Sequence, residues 1–395
     1  MIQLDKKQNC TGCHACTTKC PKQCITMIND NEGFWYPQIN QEECIDCGLC
    51  EKVCPIITPL KFEDHFNPVA YACYNTDEKV RLASSSGGVF TLIAERILKQ
   101  GGVVFGAGFD ENFNICHQCV ERVENLDKLR TSKYSQSKIG NMFKKAASFL
   151  DENRMVLFTG TSCQIDGLKA YLNRPYDNLI TQDIICHGVP SPMVWDHYMN
   201  FRKKVDGGHR IKRINFRQKD LGWKQYRVLI NYDNEKEYCQ TSAQDIFMKG
   251  FLNDLYLRPS CYTCPFKGSK RHSDITLADF WGIENILPEM FDDKGTSLVL
   301  IQSEKGKALF ESIEKDLACQ SVNMDEALKY NPAAICPAPI PQNREVFFKW
   351  FGKEPFDKII HDLTKPSFKT RAKTAAIKAL DRLGIKEQIK KTLKK

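Results

Sequence analysis

The feature that most constrains this chain is a doubled cysteine run: CTGCHACTTKCP at residues 10–21 returns as CIDCGLCEKVCP at residues 44–55. Both copies read C-x2-C-x2-C-x3-C-P. Three cysteines at two-residue intervals let one tight loop cover three corners of an iron–sulfur cube, while the fourth points away toward a neighbouring cube. Each run therefore ligates across the pair. Cys10, Cys13, Cys16 and Cys54 are assigned to one [4Fe-4S] cluster, and Cys44, Cys47, Cys50 and Cys20 to the other. Pro21 and Pro55 fix φ and turn the chain off each cluster. Zinc is the competing reading, but four-cysteine zinc sites come as two separated C-x2-C pairs, a pattern that two triplets with a trailing C-P fit poorly. Cys24 falls outside the spacing and reads as a small apolar filler beside the cluster.

Composition narrows the class further. A hydrophobic content of 42% and a charged content of 26% suit a soluble globular protein, and 395 residues suffice for two or three domains. The start MIQLDKK lacks the apolar core of a secretory signal, and no apolar run reaches the ~18 residues of a spanning helix. Nineteen cysteines without an export signal predict a reducing, cytoplasmic setting and metal ligation rather than disulfides. The net charge of +8 is local: the last 31 residues hold 11 Lys/Arg against 2 Asp/Glu, and the preceding 364 hold 45 against 46. The body is neutral and carries no basic patch interleaved with aromatics, which argues against nucleic acid. The tail, with Ile377, Leu380, Leu383, Ile389 and Leu393, is partly amphipathic. It reads either as a solvated terminal helix or as a weak contact for an anionic membrane surface.

Along the chain, ITMI and FWYPQI flank NDNEG and predict a short hairpin between the cysteine runs. A Pro-containing linker at residues 57–68 leads to a new domain that opens with VAYACY, then SSSGG, then a helix with Val89, Leu92, Ile93, Ile97 and Leu98 on one face. Serines and glycines before a helix suit phosphate binding, since free N–H groups and the helix dipole face the anion; they equally make an ordinary N-cap. Strands GGVVFGAGF and one ending at Val120 follow; the latter holds Cys116 and Cys119, whose spacing puts them on opposite strand faces, so they read as structural. The loop RTSKYSQS is rich in hydroxyls, and the strands RMVLFTG and ITQDIIC each run into a loop carrying one cysteine, Cys163 and Cys186. Strand ends of this kind are where α/β folds bind ligands. With the pair Cys261 and Cys264, these two make four possible ligands, for a third [4Fe-4S] cluster or a zinc site.

Seven stretches together carry a family resemblance up to about residue 330: SSSGG at Ser84, TSKY at Thr131, GTSCQ at Gly160, ICHGVPSP at Ile185, CYTC at Cys261, SDITLADFWGI at Ser273 and GTSLV at Gly295. The chain resembles the coenzyme F-420 hydrogenase/dehydrogenase beta-subunit family in the form with an N-terminal two-cluster ferredoxin domain. That resemblance implies an α/β (α+β) fold: a ferredoxin-type module at 1–60, the FAD-binding part of the beta-subunit-like domain at 66–150, a part carrying a third iron–sulfur site at 151–330, and an extension at 331–395. It also implies non-covalent FAD, with Ser86, Gly87, Gly88, Thr131, Lys133 and Tyr134 as contacts, and Cys163, Cys186, Cys261 and Cys264 as ligands of the third [4Fe-4S] cluster. GTSCQ carries serine where the family often has proline, a change at the flavin-side turn. Family members in organisms without coenzyme F-420, some encoded among surface-polysaccharide genes, leave the substrate open.

The expected function is an oxidoreductase in which electrons pass between an external carrier or redox partner protein, the clusters and FAD, with a hydride exchanged with a deazaflavin or another small molecule. Lys133 is the candidate for a positive charge near the flavin, and His187, beside Cys186, for a proton donor; Asp183 and Asp279 stand near the same strand ends. The competing expectation is a non-catalytic electron-transfer subunit feeding a partner enzyme.

Overall fold

Short apolar runs buried on both faces build the centre of this protein, and their order in the sheet decides which loops meet. The computed structural model describes residues 2–4, 6–62 and 66–365; the basic tail assigned from sequence lies outside them. In the N-terminal module, β1 (Ile25–Asn29) and β2 (Trp35–Ile39) form the expected antiparallel hairpin, pairing Ile25 with Ile39. Each cysteine run contributes a one-turn helix, Ala15–Lys19 and Leu49–Lys52, entered through a left-handed residue. In the second run that residue is Gly48, φ 68°; in the first it is His14, φ 64°. A left-handed non-glycine residue costs roughly 1–2 kcal/mol, and His14 is held there by burial and an edge contact with Trp35.

Eight strands form the main sheet. They are β3 (Val69–Asn75), β4 (Val103–Phe109), β5 (Ile115–Val120), β6 (Val156–Thr159) and β7 (Leu179–Ile184), followed, after a separate antiparallel sheet of β8 (Ile211–Gln218), β9 (Arg227–Tyr232) and β10 (Glu237–Thr241), by β11 (Ile275–Asp279), β12 (Ser297–Ile301) and β13 (Leu317–Val322). The order is β13-β3-β12-β11-β7-β6-β4-β5. Four central strands, β4, β6, β7 and β11, run parallel, and antiparallel strands close both sides. The sheet thus takes strands from both sides of residue 150.

Alternation sorts the side chains between two layers. Val103, Phe105, Val156 and Phe158 pack with Phe143, Ile165 and Leu168 on one face. Val104 and Leu157 pack with Ile93 and Ile97 of the helix Val89–Lys99 on the other. Burying each large aliphatic group contributes about 1.5–3 kcal/mol. A second core joins the three-stranded sheet to the helices Pro192–Val205 and Ile246–Leu252, and Phe347, Phe356, Ile359 and Ile360 of the C-terminal helices Arg344–Trp350 and Phe356–Leu363 complete it.

One edge of the main sheet matters most. The central strands all end there, and so does β3, which is antiparallel to β12 and therefore runs with β11. Residues 84–88, 160–163, 185–188 and Asp279 follow or close these strands at that edge.

Candidate redox site

Three cysteine sets assemble along one line. In the first, burial pushes the Cys13 thiol up to about 12, and the nearby Cys10 and Cys54 sulfurs add to the effect. Cys16 is raised by burial and then by Cys13, Cys10 and Cys54. The structure therefore brings together Cys10, Cys13, Cys16 and, from the other run, Cys54. In the second set, Cys20, Cys44, Cys47 and Cys50 line one small hollow closed by Ile25, Ile39 and Ile45. Cys24 sits against it with its sulfur 3.4 Å from that of Cys20.

The third set is built by the sheet. β6 and β7 are adjacent and parallel, so the loops that follow them carry Cys163 and Cys186 to the same place. Cys261 and Cys264 arrive on the short helical turn Pro259–Thr263. Burial raises Cys163, Cys186 and Cys261, the last to about 12, and each of the three also feels neighbouring thiols of this set. Thiols raised this far ionise only beside a strong cation, and cluster iron would provide one. Among the described residues no three His, Cys, Asp or Glu side chains converge on a single-ion site; a cube spreads its thiolates over separate corners. Of the remaining cysteines, Cys116 and Cys119 lie in β5 as expected, and Cys73 faces Cys319 across β3 and β13 with sulfurs 2.7 Å apart.

Two bridges join the first and third sets. Gly167, in the helix Ser162–Leu172, has no side chain where one would meet Cys13: an added Cβ would lie 3.0 Å from its sulfur. Gly167 is one turn, ~6 Å of rise, beyond Cys163. Arg258 is fully buried and forks between loops: Nε donates to the Cys10 carbonyl (2.8 Å), Nη2 to that of Trp35 (2.9 Å) and Nη1 to Gln136 Oε1 (3.0 Å). Its own carbonyl accepts from the Cys261 N–H (2.8 Å).

Beside the third set lies a pair of loops with unfilled polar capacity. Gly87 is wedged under β3 and β12, where a Cβ would fall 2.5 Å from the Cys73 carbonyl oxygen, and its N–H donates to Ser297 Oγ (2.9 Å). Gly88, φ 84°, starts the eleven-residue helix Val89–Lys99 with no side-chain cap. The N–H of Ser132 donates to Ser85 Oγ (2.8 Å), tying residues 84–88 to the loop of Thr131, Lys133 and Tyr134. Around these loops Asn75 Nδ2, Thr91 Oγ1, Arg130 Nε and Arg217 Nε are buried without a partner. Buried polar atoms are normally hydrogen-bonded, so four such orphans beside an uncapped helix start fit a phosphate-bearing ligand. Tyr134 packs on Phe216 and Phe251 at 5.3 and 5.2 Å, forming an aromatic shelf. Phe251 also meets the His187 ring at 5.4 Å, so it stands between the loop pair and the third cysteine set.

The two residues assigned chemistry from sequence sit apart and are both engaged. Burial lowers Lys133 to about 7, and its Nζ donates to the carbonyls of Arg130 (2.5 Å) and Thr131 (3.1 Å). His187 Nε2 is 2.5 Å from Asp254 Oδ1. Asp183 accepts from Ser162 (2.6 Å) and Ser273 (2.8 Å).

Sequence reasoning missed the groups that brace the loops. Arg217 donates to Asp279 (2.9 Å) and to the Ser85 carbonyl (3.2 Å) and lies over the Tyr226 ring at 3.9 Å. Trp223 stacks on Trp281 at 4.8 Å and donates to Asp279 (2.7 Å). Lys219 donates to the carbonyls of Arg81, Ser86 and Lys294 at 2.7–2.8 Å. The run RQKD closing a predicted strand was the available signal, since three charges there need buried partners or water.

Burial lowers Lys219 to about 7, with Asp279 opposing and Arg217 reinforcing the shift. The unfolded chain holds that proton more tightly, so stability rises with pH from about 7 to ~10. Thermal melts at pH 7 and pH 9 should show this gain in the parent protein, and Lys219→Met should flatten it.

Residues 153–327 match the family model for the C terminus of the coenzyme F420 hydrogenase/dehydrogenase beta subunit, and residues 9–56 match a 4Fe-4S dicluster domain. This part of the chain belongs to the beta-subunit family, joined to a dicluster module. The beta-subunit match takes in Cys163, Cys186, Cys261 and Cys264, and the dicluster match takes in all eight cysteines of the doubled run. A coenzyme F420-dependent sulfite reductase of Methanocaldococcus jannaschii is 24% identical over 81% of this chain and 48% of its own length. The chain thus spans about half the length of that relative. A ferredoxin of Mycolicibacterium smegmatis is 37% identical over 18% of this chain and 65% of its own. A chain of the F420-reducing [NiFe] hydrogenase complex of Methanosarcina barkeri superposes with a TM-score of 0.44 at 14% identity, covering 78% of this chain and 93% of that one.

Proposed function

We propose that this iron–sulfur oxidoreductase is a flavoprotein whose residues 84–88 and 130–134 hold FAD beside a third [4Fe-4S] cluster on Cys163, Cys186, Cys261 and Cys264. The observation that carries this reading is the set of buried, unpartnered donors around those loops, beside the uncapped start of the helix Val89–Lys99. When bound, the clusters supply one-electron transfer and FAD supplies hydride exchange. Arg217 provides a permanent cation at the loops, Lys133 a second positive group below about pH 7, and Tyr134 with Phe251 an apolar surface that keeps water out. Asp254 fixes the His187 ring through Nε2.

The hydride partner is a deazaflavin of the F420 type, which the name of the methanogen relative supports, or another organic molecule. An external carrier or redox partner would meet the second cysteine set, where Cys47 is exposed. A relay that feeds a separate enzyme is the second reading, favoured by the chain's coverage of only half of its relative.

Anaerobic purification followed by iron and flavin analysis tests the assignment: about twelve irons and one FAD per chain are expected, and absent flavin would sink it. The reduced protein is then offered coenzyme F420, NAD(P)H and oxidised ferredoxin. Hydride exchange with F420 or NAD(P)H supports the enzyme, and transfer to ferredoxin alone supports the relay.

A further inference from the structure

The linker that leaves the doubled cysteine run does not pack flat against the body. Between them lies a cavity of about 450 Å³, away from the loops assigned to flavin. Its walls adjoin two cysteine sets. Pro55 follows Cys54, Ser162 precedes Cys163, and Thr263 and Pro265 flank Cys264.

The two walls differ in chemistry. Ile56, Leu60, Phe62 and Phe266 make one side apolar, and Lys267, Lys270, Arg271 and His272 make the other basic, with Asp166 as the acidic residue of the lining. The Phe62 ring stacks on His272 at 4.0 Å with an interplanar angle of 17°, so the walls meet there. Asp166 is occupied by His272 Nδ1 (2.8 Å), and the Arg271 guanidinium is only partly satisfied by Asp183 (3.2 Å), Ser162 Oγ (2.7 Å) and the Ala334 carbonyl (3.1 Å). Arg271 is 7% exposed, yet its Nε has no partner, and His272 Nε2 is likewise buried and unpartnered. Concave sites with an apolar wall and a few convergent polar groups are the usual form of small-molecule sites. Orphaned donors beside lysines add a preference for negative charge.

We propose that this cavity is a second ligand site, separate from the flavin loops, for a small organic anion with an apolar body. The body lies along Ile56, Leu60 and Phe62, and the anionic group, a carboxylate or a phosphate, meets Arg271 and the lysines. A ligand there sits between the first and third cysteine sets, at the joint of the two modules.

The test is calorimetric titration of the anaerobic, cluster- and flavin-loaded protein with phenyl phosphate, benzoate and neutral benzyl alcohol. One of the anions should bind once per chain at least about tenfold more tightly than the alcohol, a margin of ~1.4 kcal/mol. The tighter of the two identifies phosphate or carboxylate as the preferred group. Phe62→Ala and Lys270→Glu should each weaken that anion by about tenfold, and flavin removal should leave its affinity in place. Anions no tighter than benzyl alcohol, affinity insensitive to both substitutions, or binding lost together with the flavin would each overturn the proposal. The flavin assignment stands or falls separately, by its own analysis.

Discussion

Replacing Cys261 with serine should lower the iron content of the anaerobically purified protein from about twelve atoms per chain to about eight. Serine keeps the size of the side chain and can still accept from the Val189 N–H, which now lies 3.4 Å from the Cys261 sulfur. What it removes is a ligand. The four thiols of this set are drawn from two strand ends and a helical turn, and burial keeps them protonated unless a cation compensates. A cube that loses one of four protein corners in such a pocket has no spare cysteine: Cys116, Cys119 and Cys239 are on strands, and Cys336 is exposed on the loop after residues 332–334. Iron in the doubled run should stay, because its ligands come from a separate module. Cys24→Ser is the matched comparison, since Cys24 touches the second set without belonging to the repeated spacing, and it should keep all of the iron. Retention of twelve irons in Cys261→Ser would remove Cys261 from the ligand set.

The two kinds of cysteine site also show what a sequence carries. The doubled run was legible because its ligands are local: three sit within seven residues, so loop geometry alone brings them together. The third set was not readable from spacing, because β6 lies beside β7 only through the order of a sheet that also inserts β12 between β3 and β11. The hairpin β1–β2 and the helix Val89–Lys99 were legible through their periods of two and 3.6. Strand β10 and the two C-terminal helices were not anticipated. The helices Arg344–Trp350 and Phe356–Leu363 are short, and their aromatic stripe acquires meaning only against the core that they complete. Arg217, Lys219 and Arg258 escaped for another reason. Each is a single charge whose partners are mostly backbone carbonyls, and carbonyls leave no residue-type signature to match. A cue was present at Arg258, an isolated cation in the apolar stretch LYLRPSCYTC, since a charge there must find buried acceptors.

Arg258→Ala should be the most destabilising single change away from the cysteines. The side chain has no exposed surface and donates to three acceptors on three segments, the carbonyls of Cys10 and Trp35 and the amide oxygen of Gln136. Its guanidinium also lies over the Tyr36 ring at 4.4 Å. Charge-assisted hydrogen bonds contribute about 1.5–3 kcal/mol each, and truncation leaves the acceptors and a cavity behind. Water entry offsets part of this loss, so the expected cost is about 3–5 kcal/mol. Lysine should recover less than half, because a single ammonium cannot reproduce the planar fork. The loss should also be local. Gln136 Nε2 donates to the Thr11 carbonyl (3.0 Å), so without Arg258 the loop of Cys10 and Cys13 keeps one polar tie to the body where it had two. In urea, the Arg258→Ala protein should lose visible iron–sulfur absorption at a lower concentration than it loses far-ultraviolet ellipticity, while the parent loses both together. Coincident transitions at the parental midpoint would mean that the arginine does not hold the two modules in register. Its contact with the cysteine loops would then be packing alone.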